Sequence, residues 1–134
     1  MHSRLVWDGS MGFTAGGDSG HKIKVDVSHE TGGRDEGPRP VELVLFGLGG
    51  CSGADVVAIL RKMQVDFTKM EIEIFAERAE EHPKRFTDIK IRYRLAGQDL
   101  DTAKVKRAIE LSLEKYCSVA ASLNANIGYE MEIE

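Results

Sequence analysis

The sequence is short of cysteine, carries no excess of positive charge and has no long uninterrupted apolar run, and each shortage closes off a class of protein. It has only two cysteines, Cys51 and Cys117. Without CxxC spacing, and with His2, His21, His29 and His82 scattered among polar neighbours, they make no recognisable metal-ligand set; such thiols are more often reduced, catalytic or inert than a permanent staple. Eighteen Lys and Arg against 22 Asp and Glu give a net charge of −4, with the two signs intermixed. That argues against a nucleic-acid face, because phosphate binding depends on clustered cations. No run reaches 18 uncharged apolar residues and the opening "MHSRLVWDGS" lacks the apolar core of a signal peptide, so neither a membrane span nor export is expected and the cytoplasm is the default. Neither "TAGGDSG" nor "TGGRDEG" has the GxGxxG or GxxxxGK spacing of a phosphate cradle, and there is no internal repeat or low-complexity tract.

What is present fits one α+β domain over 1–134, since 42% apolar composition can build a core at this length. Alternation over 3–8, 12–17 and 21–27 predicts three short strands in a meander. A polar, glycine-rich loop over 28–40 comes next, and Pro40 suits the first turn of a helix running to about Met63. Apolar residues fill most of that helix's circumference from Val41 to Leu60, which predicts burial on nearly every side. Gly47, Gly49, Gly50 and Gly53 each cost it about 1 kcal/mol relative to alanine, so a close neighbour should compensate. A second helix or the same helix of a second copy are the candidates, and a dimer is favoured.

Two alternating segments, Lys69–Ala76 and Asp88–Leu95, predict a hairpin with one apolar and one charged face, Glu facing Lys and Arg. Asp99 or Asp101 can cap a helix to about Tyr116 whose stripe is Val105, Ala108, Ile109, Ser112, Leu113 and Tyr116. A short helical piece over 118–125 and a last strand with Ile127, Tyr129, Met131 and Ile133 on one face complete the order βββ-α-ββ-αα-β.

Three groups of residues could carry chemistry. Cys51 lies in the apolar helix, where an isolated cysteine is usually an inert filler, but Asp55 one turn later puts a carboxylate on the same face, and a carboxylate there needs a partner or a cavity. Cys117 sits where a break between helices would aim backbone N–H groups at its sulfur, and such groups stabilise a thiolate. Arg34, Arg39 and Glu42 flank the start of the helix and otherwise read as a solvated rim. Glu42 and Cys51 are nine residues apart, which a straight helix places on opposite sides.

The stretch "RPVELVLFGLGGCSGADVVAIL", the segment "KYCSVAASL", the 66-residue separation of their cysteines and the order of elements together resemble the OsmC/Ohr superfamily, and look closest to its YhfA-like branch. The resemblance covers nearly the whole chain. It implies an intertwined homodimer with buried central helices, in which Gly49, Gly50 and Gly53 permit close approach and the two thiols meet near the interface. It also implies a thiol peroxidase: Cys51 attacks an organic hydroperoxide, Cys117 resolves the sulfenic acid to a disulfide, and an external dithiol reduces it, with no metal or tightly bound cofactor. The family's usual arginine and glutamate fall here on Asp18 and Val41, leaving Arg34, Arg39 and Glu42 as substitutes. Phe46, Leu48 and Asp55 are expected to line the substrate pocket. The alternative is a non-catalytic dimer that binds or senses a small apolar or reactive ligand.

Overall fold

Polar–apolar alternation in the first third produces three short strands in the computed structural model, which describes all residues 1–134 as two units, Met1–Phe46 and Gly47–Glu134. In the first unit β1 (Ser3–Trp7), β2 (Phe13–Gly17) and β3 (Lys22–Val25) form an antiparallel meander in that order. The register aligns Leu5 with Ala15 and Ile23, and Trp7 with Phe13 and Val25. One face of this sheet is therefore apolar, yet Leu5, Trp7, Phe13 and Ile23 are all exposed in the single chain.

Beneath the turns of that sheet lies a polar anchor. Asp8 Oδ2 accepts from Lys24 Nζ at 2.7 Å, and its other oxygen accepts from Ser10 N. Asp26 is buried and accepts from the backbone N–H groups of Val27 and Glu36, which ties the loop after β3 to the sheet. Gly12 fits against this anchor because it has no side chain: a Cβ there would collide with Asp8 Oδ2 and lie 3.0 Å from Lys24 Cε.

The central helix α1 (Pro40–Lys62) begins in the first unit and continues through the second. Arg39 precedes it, and Arg39 N–H donates to Glu42 Oε1 at 2.9 Å while Leu43 N–H donates to Arg39 O. Glu42 thus does the work of the third-position glutamate in a capping box. By length and hydropathy α1 could cross a membrane, but Leu48, Val56 and Leu60 are fully buried in protein core.

The helix is not buried on nearly every side within the chain. Its buried residues are Leu48, Ser52, Gly53, Val56 and Leu60, mostly four apart and so one stripe, whereas Val41, Val44 and Phe46 are exposed. Within the chain, its close neighbour is not another helix. A Cβ at Gly53 would lie 2.9 Å from Ile72 Cδ1, and one at Gly49 3.0 Å from Ile74 Cδ1, so a sheet strand of the same chain occupies the space these two glycines leave; Gly47 and Gly50 meet nothing within 4 Å.

That strand is β4 (Lys69–Arg78), paired antiparallel with β5 (Phe86–Ala96), which pairs in parallel with β6 (Asn126–Ile133). A parallel return needs a long crossover, supplied by α2 (Thr102–Leu111), a π-helical turn (Ser112–Tyr116) and α3 (Ser118–Ser122). Ile89, Ile91, Tyr93 and Leu95 of β5 point into the core with Val105, Ala108 and Ile109 of α2. The other face is a charge ladder in which Arg92 and Arg94 pair with Glu73 and Glu71 on one side and Glu130 and Glu132 on the other. Exposed pairs of this kind contribute little each, about 0–1 kcal/mol, but they set register. The architecture is α+β with the expected element order.

Candidate functional site

Asp101 accepts from Lys104 N–H and caps α2, so Val105, Ala108 and Ile109 turn inward as the 3.6-residue period requires. The period then breaks. Cys117 N–H donates to Ser112 O at 2.8 Å, a bond to the fifth residue back, and the extra residue in this turn rotates the succeeding side chains off the α-helical stripe. Tyr116, expected on the buried stripe, is half exposed, and Cys117 is buried in its place. Cys117 leaves the helical backbone (φ −72°, ψ 102°) and its Sγ accepts from Ala120 N–H at 3.4 Å. Backbone N–H groups therefore do aim at this sulfur.

Cys51 and Asp55, one turn apart on α1, meet Cys117 here. The two sulfurs and a carboxylate oxygen of Asp55 all lie within 4.8 Å of one another. Both thiols are free, Cys51 half-buried and Cys117 buried. Burial pushes the Cys117 thiol up; Cys51 raises it further, against the lowering effect of the Ala120 and Val119 N–H groups.

Behind this trio runs a line of buried hydroxyls. Ser112 Oγ donates to Asp55 Oδ2 at 3.0 Å, Ser52 Oγ lies 2.8 Å from Ser112 Oγ, and Tyr93 OH lies 2.6 Å from Ser52 Oγ. Each hydroxyl has one proton and an ionised carboxylate can only accept, so the direction is fixed: Tyr93 donates to Ser52, Ser52 to Ser112 and Ser112 to Asp55. Ser52, Ser112 and Tyr93 are fully buried, and burial pushes the Tyr93 phenol up to about 12. The chain locks Asp55 in place from below. These three residues were absent from the sequence-based candidates; the only signal was a hydroxyl at Ser112 and Tyr93 on otherwise apolar stripes.

The remaining candidates lie elsewhere or are otherwise engaged. Arg39 Nη1 is 2.6 Å from Asp35 Oδ1 and also donates to Gly37 O. Arg34 Nη1 lies 4.0 Å from Asp8 Oδ2, and Glu42 serves the start of α1. Phe46 is exposed and Leu48 is fully buried in the core. Asp55 lines a cavity of about 420 Å³ with Ala58, Ile59, Lys62, Met63, Leu111 and Tyr116. Asp18 accepts from His2 N–H at 3.2 Å in the first unit.

The sequence profile of OsmC-like proteins matches residues 32–132. Protein YhfA of Escherichia coli (strain K12) is 41% identical over 135 residues, covering 99% of this chain and 98% of that protein. The crystal structure of a hypothetical protein from Aquifex aeolicus VF5 superposes with a TM-score of 0.81 at 32% identity, covering 99% and 96% of the two chains. In fold alone, an organic hydroperoxide resistance protein OsmC from Legionella pneumophila is also similar, with a TM-score of 0.70 at 12% identity over 99% and 95%. With its cysteine motifs, its element order and these likenesses in agreement, the chain belongs to the OsmC-like protein family.

Proposed function

We propose that this protein is a dithiol peroxidase that reduces organic hydroperoxides through Cys51 and Cys117. The observation that carries the reading is the approach of two sulfurs, 66 residues apart in sequence, to within 4.8 Å, with the more accessible one on α1. Cys51 as thiolate attacks the outer oxygen of ROOH; the O–O bond breaks, the alkoxide takes up a proton and leaves as ROH, and Cys51 becomes a sulfenic acid. Cys117 sulfur then attacks the Cys51 sulfur, hydroxide leaves with the Cys117 proton as water, and a disulfide forms. An external dithiol returns both to thiols.

The cavity beside Asp55, walled by Ala58, Ile59, Met63, Leu111 and Tyr116 with Lys62 as its one cation, suits an alkyl hydroperoxide better than H2O2. Relatives of the same fold named for organic hydroperoxide resistance, from Legionella pneumophila and Bacillus subtilis, add support. Arg34, Arg39 and Glu42 act as assistants in this reading once released from their present partners. The working form is a homodimer in the cytoplasm: an open apolar sheet face and the exposed Val41, Val44 and Phe46 of α1 leave surface that a second copy would cover.

The test is one equivalent of cumene hydroperoxide followed by non-reducing mass spectrometry. Loss of two hydrogens per chain with the peroxide consumed is expected, and an unchanged mass defeats the reading. A second reading, a non-catalytic dimer binding or sensing a small apolar or reactive ligand, is favoured by one observation: the candidate arginines face Asp8 and Asp35 while burial pushes the Cys117 thiol up. Iodoacetamide separates the two. Alkylation of Cys51 faster than a free thiol at neutral pH supports the enzyme, and slower alkylation supports the binder.

A further inference from the structure

We propose that the reduced protein binds one zinc ion per chain at Cys51, Asp55 and Cys117. The two sulfurs and the carboxylate oxygen lie within 4.8 Å of one another, close to the separations that three ligands of one tetrahedral ion must have. Two thiolates and one carboxylate are a soft, anionic set that selects zinc over magnesium or calcium, and three protein ligands leave a fourth position for water or a small anion.

Three further features fit a metal rather than a chance cluster. Asp55 makes no ion pair, although Lys62 lines the same cavity, and the one hydrogen bond to its half-buried side chain comes from Ser112. Ser112 holds one carboxylate oxygen and leaves the other available, which is how outer-sphere hydroxyls orient a metal-bound carboxylate. The Cys117 sulfur accepts from Ala120 N–H, a contact that favours a thiolate ligand. The ligands also come from rigid places, two from one turn of α1 and one from the residue that the π-helical turn fixes. Sequence spacing could not show this set, because the third ligand is brought in by tertiary packing.

The inference stands apart from the peroxidase reading and is tested without peroxide. Reduced, chelator-treated protein is titrated anaerobically with Co²⁺, then with Zn²⁺ in competition. Expected is one Co²⁺ per chain with tetrahedral visible bands and an intense near-ultraviolet thiolate-to-cobalt band of two-thiolate strength, bleached by Zn²⁺. Cys51→Ser and Cys117→Ser should each halve that band, and Asp55→Ala should keep it while weakening binding. Ser112→Ala, which would touch no metal, should weaken binding about 10- to 100-fold. A wild-type spectrum with no thiolate band, or binding unchanged in the Cys51→Ser, Cys117→Ser double variant, overturns the site. The wild-type spectrum decides even if a variant fails to fold. Zinc binding with no peroxide turnover by the metal-free protein would sink the peroxidase reading alone, and the converse would sink this one alone.

Discussion

Ser112 Oγ donates to Asp55 Oδ2 across 3.0 Å, joining the π-helical turn to the central helix at the level of the two sulfurs. The bond is the last of three that begin at Tyr93, and all three hydroxyls are fully buried. Removing the middle member leaves the buried Tyr93 hydroxyl without an acceptor and Ser112 without a donor, although Ser112 keeps its bond to Asp55. Ser52→Ala should cost about 1–3 kcal/mol in urea unfolding, more than Tyr93→Phe, which removes only the terminal donor and leaves Ser52 still bonded to Ser112. Equal costs would show that the hydroxyls are independent.

Acid should loosen the first unit before the second. Lys24 beside Asp8, with the Ser10 N–H, holds the Asp8 carboxyl down to about 2, below its ordinary value of 3.8. A group depressed in this way stabilises the folded state fully above its unfolded value and ceases to do so as pH falls through its folded value, so the loss belongs between about pH 4 and pH 2. The sole tryptophan, Trp7, donates through Nε1 to Ser10 O and reports on this region. Its emission should shift in that window, and Asp8→Asn should remove the acid transition.

The glycines of α1 should divide by their surroundings. Gly53→Val places carbon where Ile72 Cδ1 already lies and should cost about 1–3 kcal/mol through overpacking. Gly50→Ala meets nothing in the chain and should raise helix stability by about 1 kcal/mol. Urea midpoints read both. A destabilising Gly50→Ala would mean that a second copy packs tightly there.

Dimerisation, if it covers the exposed side of α1, should be sensitive to Phe46, which is 58% exposed in the single chain. Phe46→Asp should convert a dimer to a monomer in light scattering at micromolar concentration. A dimer of unchanged affinity would move the interface elsewhere.

Replacing either cysteine should give distinct chemistry. Cys51→Ser should abolish hydroperoxide consumption, whereas Cys117→Ser should permit one oxidation that stalls at sulfenic acid or proceeds to sulfinic acid, visible by mass as one or two added oxygens. Identical silence from both variants would remove Cys51 as nucleophile.

Local pattern determined much of this protein. Alternation marked the strands, Pro40 and the apolar run marked α1 to within a residue of Lys62, and Asp99 or Asp101 marked the start of α2, the cap proving to be Asp101, because side-chain period and capping act over a few neighbouring residues. The two cysteine motifs, through the family they resemble, identified the thiols. What the chain's local order could not reveal was decided by packing. The parallel entry of β6 and the arrival of Cys117 beside Cys51 and Asp55 each depend on residues dozens of positions apart, and the switch to i→i+5 bonding at Ser112 left no mark in the apolar period. Only β4 filling the space beside Gly49 and Gly53 explains those glycines within the chain. Contacts of that range form only when the core closes, so tertiary structure alone turned two thiols and a carboxylate into one site.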